Sequence, residues 1–172
     1  MAKFLFQNLD AEIRALMLQE IQNDVQAEKL FLSDRLNEQG KASYQNYLIQ
    51  CVESSDEEVL EQLLTLNEHF KPTYLRLDKP AKMPSNASNL LCSSEFNRYY
   101  IRAVCILGLN NSIEDVEIYR ARESSRTRPE SEAKIGTFLS CKDLLDDLRN
   151  SIGTEPKLFP EINSGLCVKI NL

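Results

Sequence analysis

The chain is short of the residues on which most hydrolytic and nucleotide enzymes depend. It has one histidine, no tryptophan and five glycines in 172 residues. A lone His69 leaves little for imidazole-based nucleophilic catalysis, and a zinc site needs several closely spaced imidazoles or thiolates. G-x-x-x-x-G-K-[ST] and G-x-G-x-x-G, whose backbone amides close on phosphate, are both absent, as is H-E-x-x-H. The five cysteines (Cys51, Cys92, Cys105, Cys141 and Cys167) include no C-x-x-C pair. Their odd number suits neither a complete disulfide framework nor a zinc site, so they read as small buried apolar residues in a reducing cytoplasm. No cofactor and no metal are expected. The longest mostly apolar run, Ile101 to Leu109, is interrupted by Arg102 and is too short to span a bilayer. Asp10 and Glu12 fall where a signal peptide would keep its apolar segment. The expectation is a soluble, cytoplasmic chain without a membrane role.

What is present is an ordinary globular composition, 42% apolar and 27% charged, with a net charge of -6 that is unevenly spread. Residues 1–70 hold 5 basic and 13 acidic side chains, residues 71–128 hold 10 and 6, and residues 129–172 hold 5 and 7. Opposite lobes of one chain attract and help each other dock; alternatively, each lobe faces a partner of opposite sign.

Periodicity divides the chain at the same places. Ile13, Leu16, Met17 and Ile21 recur at helical spacing, and "VQAEKLFLSDRLNEQG" continues as a less regular helix to Gly40. Tyr44, Tyr47, Leu48, Cys51 and Val52 form one helical face. The next helix, with Val59, Leu60, Leu63 and Leu64 as its stripe, starts at Ser55 in a capping box with Glu58 and closes near His69. Residues 71–85 carry three prolines and read as an extended connector between an acidic helical segment, 1–70, and a mixed segment, 86–172. The latter opens with the longest helix, stopped near Gly108, with Phe96, Tyr100, Ala103 and Leu107 on one face and Arg98 and Arg102 opposite. Beyond Arg102 it is apolar all round, as a central buried helix would be. "VEIYRARE", "AKIGTFLS" and "LCVKINL" read as strands, and "CKDLLDDLRNSI" as a helix capped by Ser140. The fold class is therefore α+β: a helical N-terminal half of three or four short helices, then a small antiparallel or mixed three-stranded sheet with two helices.

The candidate functional residues are arginines. Arg120, Arg122, Arg126 and Arg128 lie within nine residues, and Arg98 and Arg102 share a helix face. Planar guanidinium donors match phosphate and carboxylate alike. The face of "VEIYRARE" that carries Val116 and Ile118 goes on to Arg120 and Arg122, which predicts Arg120 buried and paired, whereas Arg126 and Arg128 fall in a polar loop and are expected exposed. Tyr99, Tyr100 and Tyr119 are placed to stack bases if the anion is nucleic acid. The acidic clusters "SSDEEVLE" and "DLLDDL" read as solvated helix faces, and the Glu132-x-Lys134 spacing resembles one end of a metal-dependent nuclease motif.

The stretches "EFNRYYIRAVC" and "NSGLCVKINL" resemble small bacterial or phage-borne proteins of no assigned activity. The leading expectation is a non-enzymatic interaction or accessory protein of a bacterial or mobile-element system, with a protein partner and scope for homo-oligomerisation. The second is a nucleic-acid-binding module using the arginine-rich strand and loop, and the third a metal-dependent nuclease or nucleotide-modifying enzyme. The pI near 5.0 places an acidic protein partner ahead of nucleic acid.

Overall fold

The computed structural model describes residues 3–123, 128–161 and 163–171. Among them the chain forms six helices and two antiparallel sheets, the α+β class expected. Helices α1 (Ala11–Gln26), α2 (Glu38–Ser54) and α3 (Glu57–Leu66) come first. A hairpin, β1 (Thr73–Arg76) and β2 (Lys79–Lys82), leads into the long helix α4 (Ala87–Asn110). Then follow β3 (Asp115–Arg120), the single-turn α5 (Pro129–Glu132), β4 (Phe138–Ser140), α6 (Cys141–Asn150) and β5 (Leu166–Lys169). The three-stranded sheet has the order β4-β3-β5, with Val116 opposite Leu139 and Ile118 opposite Val168.

Helix α4 is the centre of this arrangement. It packs against α1, α3, α6 and the sheet, and every residue from Glu95 to Cys105 is buried. Burial on all sides thus begins a full two turns earlier than the apolar composition predicts and takes in Arg98 and Arg102. One continuous core joins Ile13, Met17 and Ile21 of α1 to Phe96, Tyr100 and Val104 of α4 and to Val116, Ile118 and Val168 of the sheet.

The scarcity of glycine shows in how the elements end. Helix α1 does not continue to Gly40; it stops at Gln26, where the Glu28 amide donates to the Val25 carbonyl and the Lys29 amide to that of Asp24. This pair of bonds is the Schellman closure, which places one residue in the left-handed region, and here that residue is Glu28 at φ 56°. Helices α3 and α4 close in the same way on Glu68 and Ser112, at φ 53° and 59°. His69 accordingly lies beyond α3 rather than within it, its amide bonded to the Leu64 carbonyl. The N-cap of α3 is Asp56, one residue later than the capping box at Ser55 would have it, and its carboxylate accepts from the Glu58 and Val59 amides. The residues read as an extended connector instead fold back on themselves through Leu77 and Asp78, at φ 50° and 61°. No glycine or asparagine marks that turn, so its usual signature is missing.

The five cysteines are free and buried, as expected. None of the described helices is long and apolar enough to cross a membrane. "SSDEEVLE" is not wholly a solvated face: Glu57 is buried and accepts the Phe4 amide at 2.8 Å, and burial pushes its carboxyl up.

Candidate functional site: a cleft walled by arginine

The six arginines do not converge on one point. Arg102 is 1% exposed and is consumed by α1, with Nε donating to Glu20 at 2.7 Å and its two terminal nitrogens to Asp24 at 2.6 and 3.0 Å. Arg149 reaches the same Glu20 from α6. Burial raises the Glu20 carboxyl, but the hydrogen bond from Arg149 and the charge of Arg102 outweigh it and hold the group below its ordinary range. Arg98 is also buried and closes the end of α6, donating to the carbonyls of Leu148, Ser151 and Thr154. Its Nε faces Glu95 at 3.5 Å.

Arg120 is half-buried and paired, to Glu132 and to the Ser164 carbonyl. Its partner Glu132 is 45% exposed, so the pair is at the rim and not within the core. Arg128 is exposed, and Arg126 lies outside the described residues. Tyr99, Tyr100 and Tyr119 belong to the core, their hydroxyls bonded to Asp24, to the Asn8 amide and to the Leu5 carbonyl, so their rings offer no stacking surface. Glu132 and Lys134 of the nuclease-like spacing pair with Arg120 and Glu161. Among the described residues no group of three or more His, Cys, Asp or Glu is placed to hold a metal ion.

Arg122 is the exception. It is 7% exposed and lines a cleft of about 350 Å³ between the start of α4, residues 31–35 and the loop that follows α6. Its position depends on Gly165, at φ 71°, whose carbonyl takes the amides of both Ala121 and Arg122. A Cβ on Gly165 would stand 2.6 Å from the Arg122 carbonyl oxygen. The guanidinium lies 4.8 Å over the Phe4 ring and donates to Asn89 Oδ1 at 3.3 Å and Asn163 Oδ1 at 2.6 Å. Both acceptors are neutral amides, and no carboxylate of the described residues lies within ion-pairing distance. Burial pulls the group below its ordinary value, with the charges of Glu57 and Glu61 opposing.

The rest of the cleft is part apolar and part polar. Phe4, Phe31, Leu91 and Leu166 give it apolar surface, Arg98 and Asn97 line the α4 side, and Glu161 lines the opposite side. Sequence patterning marked Arg98 and Arg122 but not Asn97, Asn163, Gly165 or Arg35, which come from distant segments and belong to no periodic stripe. The one local signal was the outward switch of "VEIYRARE" from valine and isoleucine to arginine on a single face, and it applies more fully to Arg122 than to Arg120.

Comparison with known proteins finds no match, whether to family models, to curated proteins or to solved structures.

Proposed function

We propose that the chain is a non-enzymatic, cytoplasmic interaction protein of a bacterial or mobile-element system, and that its cleft receives an acidic, partly apolar segment of a protein partner. Arg122 carries the reading: a buried guanidinium that, among the described residues, is bonded only to amide oxygens. A buried cation without a counter-ion is costly. A carboxylate entering the cleft would supply one and can meet two parallel N–H donors. The apolar lining adds contact area on either side, and the volume is at the lower end for ligand pockets, enough for a few side chains. Carboxylate suits the cleft better than phosphate, because Glu95, Glu155 and Glu161 line it and would repel a second negative charge.

Nucleic acid draws less support. Of the strand and loop arginines within the described residues, Arg128 alone is exposed, and Arg120 and Arg122 spend donors inside the chain.

The test is a photo-crosslinking residue placed at Ser94, on the cleft lining, in native cells, with adducts identified by mass spectrometry. Crosslinks to acidic protein segments that disappear with Arg122→Met and persist with Arg128→Ala support the proposal. Crosslinks indifferent to Arg122, or formed with nucleic acid, refute it.

A further inference from the structure

We infer that a second copy of this chain supplies an occupant for the cleft: the tip of its β1–β2 hairpin, exchanged reciprocally across a two-fold axis. The inference rests on the reading of the cleft given above and adds the identity of the segment.

The tip carries the two features the cleft uses, apolar surface and one carboxylate, although the basic Arg76 and Lys79 flank it. Leu75 and Leu77 are 70% and 89% exposed, and Asp78 follows directly, so apolar side chains and a carboxylate stand together at the apex. It also lacks internal partners. Arg76, Asp78 and Lys79 make no ion pair or side-chain hydrogen bond with the described residues. Arg76 sits directly opposite Lys79 in the ladder, a like-charged juxtaposition that is destabilising until a negative group comes between.

The turn is made at some conformational expense. Left-handed backbone is disfavoured for a bulky residue, and asparagine or glycine would serve a two-residue turn better than Leu77 at φ 50°. An exposed leucine held in that conformation is what a contact at the apex would use, and strain of this kind gathers at functional positions.

Placement is compatible with a two-fold exchange. The guanidinium of Arg35, a cleft-lining residue, lies 5.2 Å over the ring of Tyr74, so the base of the hairpin meets the rim of its own cleft. From Tyr74 the tip runs about 10 Å onward, at roughly 3.3 Å per residue. Two copies facing each other at this rim set each tip against the other's cleft, and one contact is made twice. Asp78 then faces Arg122, the leucines meet Phe31 and Leu91, and the Arg76 and Lys79 pair approaches Glu161, whose Oε2 accepts no hydrogen bond from the described residues.

Sedimentation velocity of the full chain over a dilution series tests this. A reversible dimer is expected, weakened about thirtyfold or more by Asp78→Asn and by Arg122→Met, the loss for truncating one side of a buried charged pair. Leu77→Asn, which suits the turn and removes the apolar contact, should weaken it too, and unchanged thermal unfolding of the tip variants shows that the fold is intact. Mixing an Asp78→Asn copy with an Arg122→Met copy leaves one sound junction and should give a heterodimer tighter than either variant's homodimer. A wild type that stays monomeric at its highest soluble concentration overturns the inference, as does a dimer insensitive to the tip. Monomeric protein that still crosslinks another protein through Arg122 overturns the exchange alone, whereas crosslinks that ignore Arg122 overturn the reading of the cleft beneath it.

Discussion

Replacing Arg102 with methionine removes the cation that joins α4 to α1 while keeping most of its volume. In the variant Asp24 loses both guanidinium bonds and retains the Tyr99 hydroxyl at 2.8 Å, while Glu20 retains Arg149, which is itself 41% exposed. Two carboxylates thus remain in the interior with one partly solvated cation between them. Removing one partner of a buried pair costs roughly 3–5 kcal/mol, a large share of the 5–15 kcal/mol that a domain typically has. At a urea m-value of about 2 kcal/mol/M this is a midpoint shift of about 1.5–2.5 M. Acid should modulate it with a definite sign. In the wild type the Glu20 carboxyl is held below its ordinary range, so its stabilisation is present above that range and is lost as pH falls through the lowered folded value. Without Arg102 much of that depression goes, and protonation relieves a buried carboxylate, so the gap between variant and wild type should narrow as pH falls toward 4, near the ordinary carboxylate range. Changing Glu20 and Asp24 to methionine and leucine alongside Arg102→Met should recover most of the loss, because apolar replacement of a whole buried ionic group is often neutral. Urea melts of the single and triple variants at two pH values decide the matter. A single-variant cost below about 1 kcal/mol, or a gap that widens in acid, would show that the cluster is not the buried ionic junction described.

Arg120→Ala should cost only about 1–2 kcal/mol, the rim pair with the 45% exposed Glu132 together with the bond to the Ser164 carbonyl, and Arg128→Ala should stay within about 0.5 kcal/mol; denaturant melts of both, with an equal large loss counting against the rim placement, check this. Arg122→Met should leave stability within about 1 kcal/mol of wild type, because it replaces a desolvated cation by an apolar side chain, and a loss of 3 kcal/mol or more, far outside the roughly neutral effect expected, would make Arg122 a structural residue. Ser112→Gly should raise stability by about 0.5–1 kcal/mol, the left-handed strain relieved less the extra freedom of the unfolded chain, and a calorimetric melting temperature that falls would contradict the closure assigned to α4. All five thiols should resist a disulfide reagent at pH 8 until the chain unfolds: they are buried, and burial pushes Cys51, for one, up to about 11.

Long-range burial was readable from the sequence where the apolar period is regular, as in Leu60 and Leu64 of α3 or Val116 and Ile118 of β3. It was not readable at helix ends, because closure there normally announces itself with glycine and this chain uses Glu28, Glu68 and Ser112. The hairpin was hidden for the same reason, its turn being written as Leu77-Asp78. The arginines were found as a class, but their fates diverge through partners no local window contains: Arg102 is claimed by Glu20 and Asp24, Arg98 by carbonyls some fifty residues on, as at Leu148 and Ser151. A cleft assembled from residues 31–35, the first turns of α4 and the loop before β5 has no sequence signature, because a shared wall between distant segments has no period.

The amide of Asn8 clasps residue 170 from both sides: its Nδ2 donates to the Ile170 carbonyl, and its Oδ1 accepts the Ile170 amide. During synthesis neither bond can form until residue 170 has left the ribosome, 162 residues after Asn8. Phe4 and Phe6, whose rings stack on each other and, through Phe6, pack at a tilt against Phe96 and Tyr100, begin that wait in a nascent chain that lacks α4. Asn8 and the aromatic residues beside it are therefore secured long after they are made, and the interval in which their aromatic surface is uncovered is set by translation speed as much as by the fold's own rate.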